Sequence, residues 1–194
     1  VLTCYGMNLP PSTTVTAPVK NLASVANATA TPAISSGVAS LPIGHGMVYL
    51  TGGTVRNLSD ASNVYVTLPT GRSFTFYGNT YTSLYVVSNG IIVFGTSNSK
   101  WSGPIPDPAT PNNGIYAFST DLDPLSGAQG KIYTHYVDDR YFVIEWHQVE
   151  HYPSGNPETF EIVLDLDTGK VTIQYLTVSN VADAVSGVEN STGT

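Results

Sequence analysis

His147, Glu150 and His151 stand in the pentapeptide HQVEH, two histidines four apart with a glutamate beside the second. On a helix that spacing puts both imidazoles on one face, about 6 Å apart. They could then share a zinc ion, with the glutamate as general base. A second grouping, Asp121 and Asp123 in STDLDP ahead of the loop LSGAQG, offers the carboxylates and loop carbonyls from which a calcium cage is built. DLDTGK (165–170) opens like a calcium loop, but its glycine comes one place early and no glutamate closes it at the twelfth position.

Which chemistry is available depends on the backbone beneath these groups. HQVEH closes RYFVIEWHQVEHYPSG, an aromatic and β-branched run that reads as a strand and ends at Pro153 and Gly155. On a strand, positions i and i+4 also share a face, but at about 3.3 Å per residue they stand roughly 13 Å apart. Two nitrogens each about 2.0 Å from one zinc cannot be supplied that way. The reading that follows is polar residues on the exposed side of a strand entering a loop, with no catalytic zinc. No G-x-S-x-G elbow occurs, and Glu145 and Glu150 are not marked out as a glycosidase pair among ordinary strand residues.

That run is one of eight stretches with β-type texture: NVYVTL (63–68), SFTFYG (73–78), SLYVVSNGIIVFG (83–95), GIYAFSTDLD (114–123), KIYTHYV (131–137), RYFVIEWHQV (140–149), TFEIVLDLD (159–167) and KVTIQYLTV (170–178). In the last, Val171, Ile173 and Tyr175 alternate with Thr172 and Gln174, the period-2 pattern of a strand. Asn89-Gly90, Asp138-Asp139 and Asp167-Thr168-Gly169-Lys170 supply turn chemistry between them. No segment has a 3.6-residue apolar period. The expected fold is all-β, an antiparallel β-sandwich of jelly-roll or Ig-like type, with an extended N-terminal segment.

Composition agrees. Charged residues are 11% of the 194, against about 25% in average soluble domains, and 12 tyrosines and 18 glycines favour strands and turns. The charge is divided between two zones. Residues 1–59 hold Lys20 and Arg56 and no acid, whereas residues 60–194 hold all 14 acids against five bases, a net charge of −9. That acidity, without any basic cluster, excludes nucleic acid as a partner. No window holds 18 consecutive apolar residues, so no helical membrane span is expected.

The chain therefore divides into residues 1–45, rich in Ala, Thr, Ser and Pro, and a sandwich over residues 46–194. The first zone has too few large apolar groups for a core of its own. It reads as an extended segment held along a sheet edge, that of a neighbouring copy or of its own domain, with Val15, Val19, Val25 and Ile34 as the apolar anchors for assembly. One cysteine, Cys4, excludes an internal disulfide and a cysteine metal cluster. Asn27, Asn57 and Asn190 begin N-glycosylation sequons, which with the low charge points outside the cell.

Three blocks together resemble a known architecture: FTFYGNTYTSLYVVSNGIIVFG (74–95), PIPDPATPNNGIYAFSTDLDP (104–124), and RYFVIEWHQVEHY with ETFEIVLDLDTGKVTIQY and the closing GVENSTGT. They resemble β-sandwich modules of secreted bacterial and archaeal proteins, often found beside peptidase domains, and their rhythm is similar to the nidogen-like extracellular domain. The resemblance covers roughly residues 60–194. It implies a non-catalytic extracellular module for adhesion, assembly or substrate presentation, and gives His147 and His151 no metal role. Ser119-Thr120 stand where the family has Trp-Asp, which weakens a carried-over calcium role for Asp121 and Asp123.

The function expected is thus a structural or adhesive surface module, a filament subunit among the candidates, with self-association or another surface protein as partner. No cofactor is expected beyond candidate calcium. The alternative is an accessory or carbohydrate-binding module of a secreted peptidase or hydrolase, with Trp101, Trp146 and the tyrosines as stacking surface.

Overall fold

The computed structural model describes residues 2–6 by their backbone, and residues 53–100, 103–127 and 129–193 in full. The strands, in chain order, begin with β1 (Leu2–Gly6), β2 (Thr54–Arg56), β3 (Asn63–Thr67), β4 (Phe74–Phe76), β5 (Asn79–Tyr81), β6 (Ser83–Val87) and β7 (Ile91–Val93). They continue with β8 (Gly114–Ser119), β9 (Leu122–Asp123), β10 (Lys131–Val137), β11 (Tyr141–His151), β12 (Pro157–Asp165), β13 (Val171–Thr177) and β14 (Val185–Glu189). One 3₁₀ turn, Val181–Asp183, precedes β14. Val15, Val19, Val25, Ile34 and Asn27 lie outside the described residues.

The fold is the all-β sandwich that the alternating strands require. One sheet runs β1-β13-β12-β11-β10-β2, with β9 paired to β11, and the other runs β14-β8-β7-β6-β3. β4 and β5 form a separate hairpin. Apart from β1, every pairing is antiparallel. Inward residues of both sheets meet in one core: Ile144, Trp146, Phe160, Ile162 and Ile173 from the larger, Val66, Leu84, Val86, Ile92 and Ile115 from the smaller. Trp146 is fully buried and stacks on Phe160 with ring centroids 5.0 Å apart.

Turn chemistry sets the register. Asp138 and Asp139 both have positive φ, 53° and 50°, and the Arg140 amide donates to the Val137 carbonyl, the geometry of a type I′ turn between β10 and β11. Between β12 and β13, the Asp165 carboxylate accepts the Asp167 and Thr168 amides, and Gly169 takes a φ of 70°. DLDTGK is therefore the hairpin turn its residues suggest, with Asp165 further engaged by both nitrogens of the Arg140 fork, at 2.9 and 2.6 Å.

Two expectations are corrected. The alternation in β11 does not run unbroken, because a bulge between Trp146 and Val149, with Gln148 at φ 51°, inserts a residue into the pattern. And the outward face of the larger sheet is not exposed: Glu145, Glu161, Thr172 and Gln174 are all buried.

Candidate functional site

The bulge decides what HQVEH does. It flips the pleat, so that Trp146 and Val149 both face the core although three residues apart. His147 consequently lies on the outer face, its Nδ1 3.1 Å from Glu145 Oε1. His151 turns toward the core, edge-on to Phe118, with Nε2 2.9 Å from Glu158 Oε1. On an unbroken strand the two histidines would share a face; here they sit on opposite faces and cannot share an ion.

Each histidine serves a buried carboxylate instead. Fully buried Glu158 also accepts the Ser179 amide at 2.8 Å, and its other oxygen accepts the Ser179 hydroxyl. The order Ser–Glu–His lacks the central imidazole that a nucleophilic triad needs to take the hydroxyl proton. Glu145, 3% exposed, lies between His147 and His135, whose Nε2 is 3.7 Å away. Burial alone would raise the Glu145 pKa, but the two imidazoles outweigh it and hold it below the usual value, so it stands as a carboxylate. Gly53 makes room for that arrangement, since a Cβ there would fall 2.1 Å from the His135 ring. Across the ladder Glu145 stands opposite Glu161, with His135 and His147 beside the first and Gln174 donating to the second.

Asp121 precedes β9 and Asp123 is its second residue. Asp123 uses Oδ1 to accept the Leu125 amide at 2.9 Å, and the Asp121 carbonyl accepts the Tyr152 amide. Partial burial raises the Asp121 pKa, as do the nearby charges of Asp60 and Asp123, with His151 opposing. Among the described residues no three His, Cys, Asp or Glu side chains are grouped to hold a metal. Glu150 is engaged elsewhere, accepting from Ser126 Oγ. Asn57 is exposed, whereas Asn190 Oδ1 accepts both the amide and the hydroxyl of Thr192.

The sequence blocks singled out above supply two joints between the sheets and several ties within the smaller sheet and its loops. Ser88 Oγ accepts the Ser62 amide and donates to its carbonyl. Asn89 Oδ1 accepts the Leu122 amide at 2.8 Å, tying the β6–β7 turn of one sheet to β9 of the other, while its Nδ2 donates to the Ser99 carbonyl. Gly90 has φ 76°, and a Cβ there would lie 2.1 Å from the Phe118 carbonyl oxygen. The Trp146 indole N–H reaches the Val87 and Ser88 carbonyls at 3.2 and 3.0 Å. In GVENSTG, Glu189 accepts the Asp107 amide, and Gly193, φ 70°, lies against the Asp107 carbonyl. Sequence reasoning assigned Asn89 only to a tight turn and missed its cross-sheet bond.

One further feature concerns the sheet edge. β1 pairs in parallel with β13, Leu2 opposite Val171 through Gly6 opposite Tyr175. It closes an edge that β10 to β13 build through consecutive antiparallel pairings.

Two core-sharing sheets, joined by hydrogen bonds of buried Asn89 and Trp146, define an all-β sandwich module. The family model described as NIDO related matches residues 44–194, and the chain belongs to that family. The matched span takes in β2 to β14 and leaves β1 outside it. No curated protein and no solved structure matches the chain.

Proposed function

We propose that the chain is a non-catalytic extracellular structural or adhesive module that self-associates by strand addition through its N-terminal segment, as a surface or filament subunit would. The observation that carries this reading is β1: a strand outside the family-matched span, paired with the edge strand β13. Main-chain ladder bonds supply the attraction in such contacts and need no large apolar patch on the donor. That suits a first zone dominated by Ala, Thr, Ser and Pro and free of acidic residues, beside residues 60–194 of net charge −9. Location outside the cell is supported by the nidogen-related family and by the low charge. Among the described residues no helix is long and apolar enough to cross a membrane.

The non-catalytic reading rests on how the reactive groups are used. Glu145, Glu158 and Asp165 are engaged by His, Ser and Arg partners as counter-ions and turn acceptors. The assembly anchors named from the sequence, Val15, Val19, Val25 and Ile34, extend the same proposal beyond β1. Light scattering coupled to size exclusion tests it. The full chain should associate as concentration rises, and a chain lacking residues 1–45 should remain a monomer.

A further inference from the structure

β1 is attached to the module differently from every other strand of its sheet. β10 to β13 follow one another through short turns, whereas β1 lies at one edge and the next strand in the chain, β2, at the other. Those edges are five inter-strand spacings apart, about 24 Å. The connection, residues 7–53, is 47 residues long and can reach about 155 Å when extended. A link more than six times the required span does little to confine β1 to its own module, because closure entropy changes only slowly with loop length. The slot is well defined: five residues of the seven-residue β13 pair in register, and without a partner they would present unpaired backbone groups at an open edge.

We propose that β1 is exchanged between copies: Leu2–Gly6 of one chain pairs with Val171–Tyr175 of a second, in the same parallel register. This rests on the self-association proposed above and names its donor, its acceptor and its partner, a second copy of this chain. Because the contacts are identical within and between chains, concentration decides between them. A tether of this length gives the chain's own strand an effective concentration on the order of a millimolar or less. Dilute protein is closed on itself, and protein crowded at a surface is exchanged. Donor strand and acceptor edge are different surfaces of one module, so exchange is either reciprocal, closing a dimer, or head-to-tail, propagating into chains or larger rings.

Cys4, the one cysteine, stands opposite Ile173 in this register and reports the pairing. An acceptor carrying Cys4→Ser and Ile173→Cys is mixed with the unaltered chain, refolded together at millimolar concentration, and oxidised. The expected product is a disulfide between Cys4 of one chain and position 173 of the other, in about a third of the acceptor in an equimolar mixture at millimolar protein and falling steeply at micromolar. Since Ile173 is fully buried, a second pair, Tyr5→Cys in a Cys4→Ser donor with Gln174→Cys in a Cys4→Ser acceptor, repeats the test at the adjacent register position. Full-length protein that associates by light scattering yet forms neither cross-link overturns this slot and leaves self-association standing. A single chain carrying both Cys4 and Ile173→Cys that closes only on itself at millimolar concentration overturns exchange. Absence of both association and cross-linking removes the exchange and the reading beneath it.

Discussion

Asn89 Oδ1 accepts the backbone amide of Leu122, 33 residues away, at 2.8 Å, and both residues are fully buried. This bond joins the Ser88-Asn89-Gly90 turn to the Leu122-Asp123 strand, so two separated sequence blocks turn out to be halves of one joint. Asn89→Ala leaves a buried N–H without an acceptor and should cost about 1–3 kcal/mol of unfolding free energy. Urea denaturation of the variant checks this, and an unchanged midpoint would mean that the joint contributes nothing.

Gly90→Val should cost more. The φ of 76° disfavours any β-branched residue, and the added Cβ would fall 2.1 Å from the Phe118 carbonyl oxygen. A loss above the roughly 1 kcal/mol of an ordinary point mutation is expected, read as the melting temperature. Retention of the wild-type melting temperature would contradict the close approach.

Asp165 gives the acid limb of stability its sign. Burial would raise its pKa, but the Arg140 fork and the turn amides outweigh burial and hold it below the usual carboxylate range. A folded pKa below the unfolded one means stability present above the unfolded value, about 3.9, and lost as pH falls toward the folded one. Arg140→Gln should flatten that loss in a stability profile taken from pH 6 downward. Parallel profiles for variant and wild type would refute the pairing.

Asp121 has the opposite sign. Its pKa is raised by burial and by Asp60 and Asp123, so its charge opposes folding as pH climbs above the ordinary carboxylate range. Asp121→Asn should melt higher than wild type at pH 7, with the gap closing in acid. Calcium added to both is informative at the same site: an ion held by Asp121 and Asp123 would raise the wild-type midpoint and leave the variant unmoved.

Much of the fold was legible because alternation and turn residues act locally. β10 and β13 lie where their patterns put them, and the Asp165–Lys170 turn behaves as its residues demand. β2 and β5 were missed, since three residues carry too little periodicity to register, and so was β14, whose VSGVE does not alternate. β9 lies within the run 114–123, which reads as continuous with β8. The site was less legible. HQVEH read as an unbroken strand puts both histidines on one face, but the bulge at Gln148 is a long-range fit between β11 and β12 that no local spacing encodes. The burial of Glu145 and Glu161 was equally hidden, since polar residues alternating with apolar ones look solvent-facing until partners such as His135 and Gln174 are placed beside them. β1, at the far end of the chain from β13, had no sequence signal for its partner.

On the proposed function, activity resides in the N-terminal strand and not in the histidine motif. Sedimentation equilibrium over a wide concentration range, on the full chain, on Tyr5→Pro, and on a His147→Ala, His151→Ala double variant, tests it most directly. Proline at position 5 removes a backbone donor from β1 without shortening the chain. Reversible, concentration-dependent association is expected in the full chain and in the double variant, and its loss in Tyr5→Pro. Association that survives Tyr5→Pro but disappears with the two histidines would contradict it.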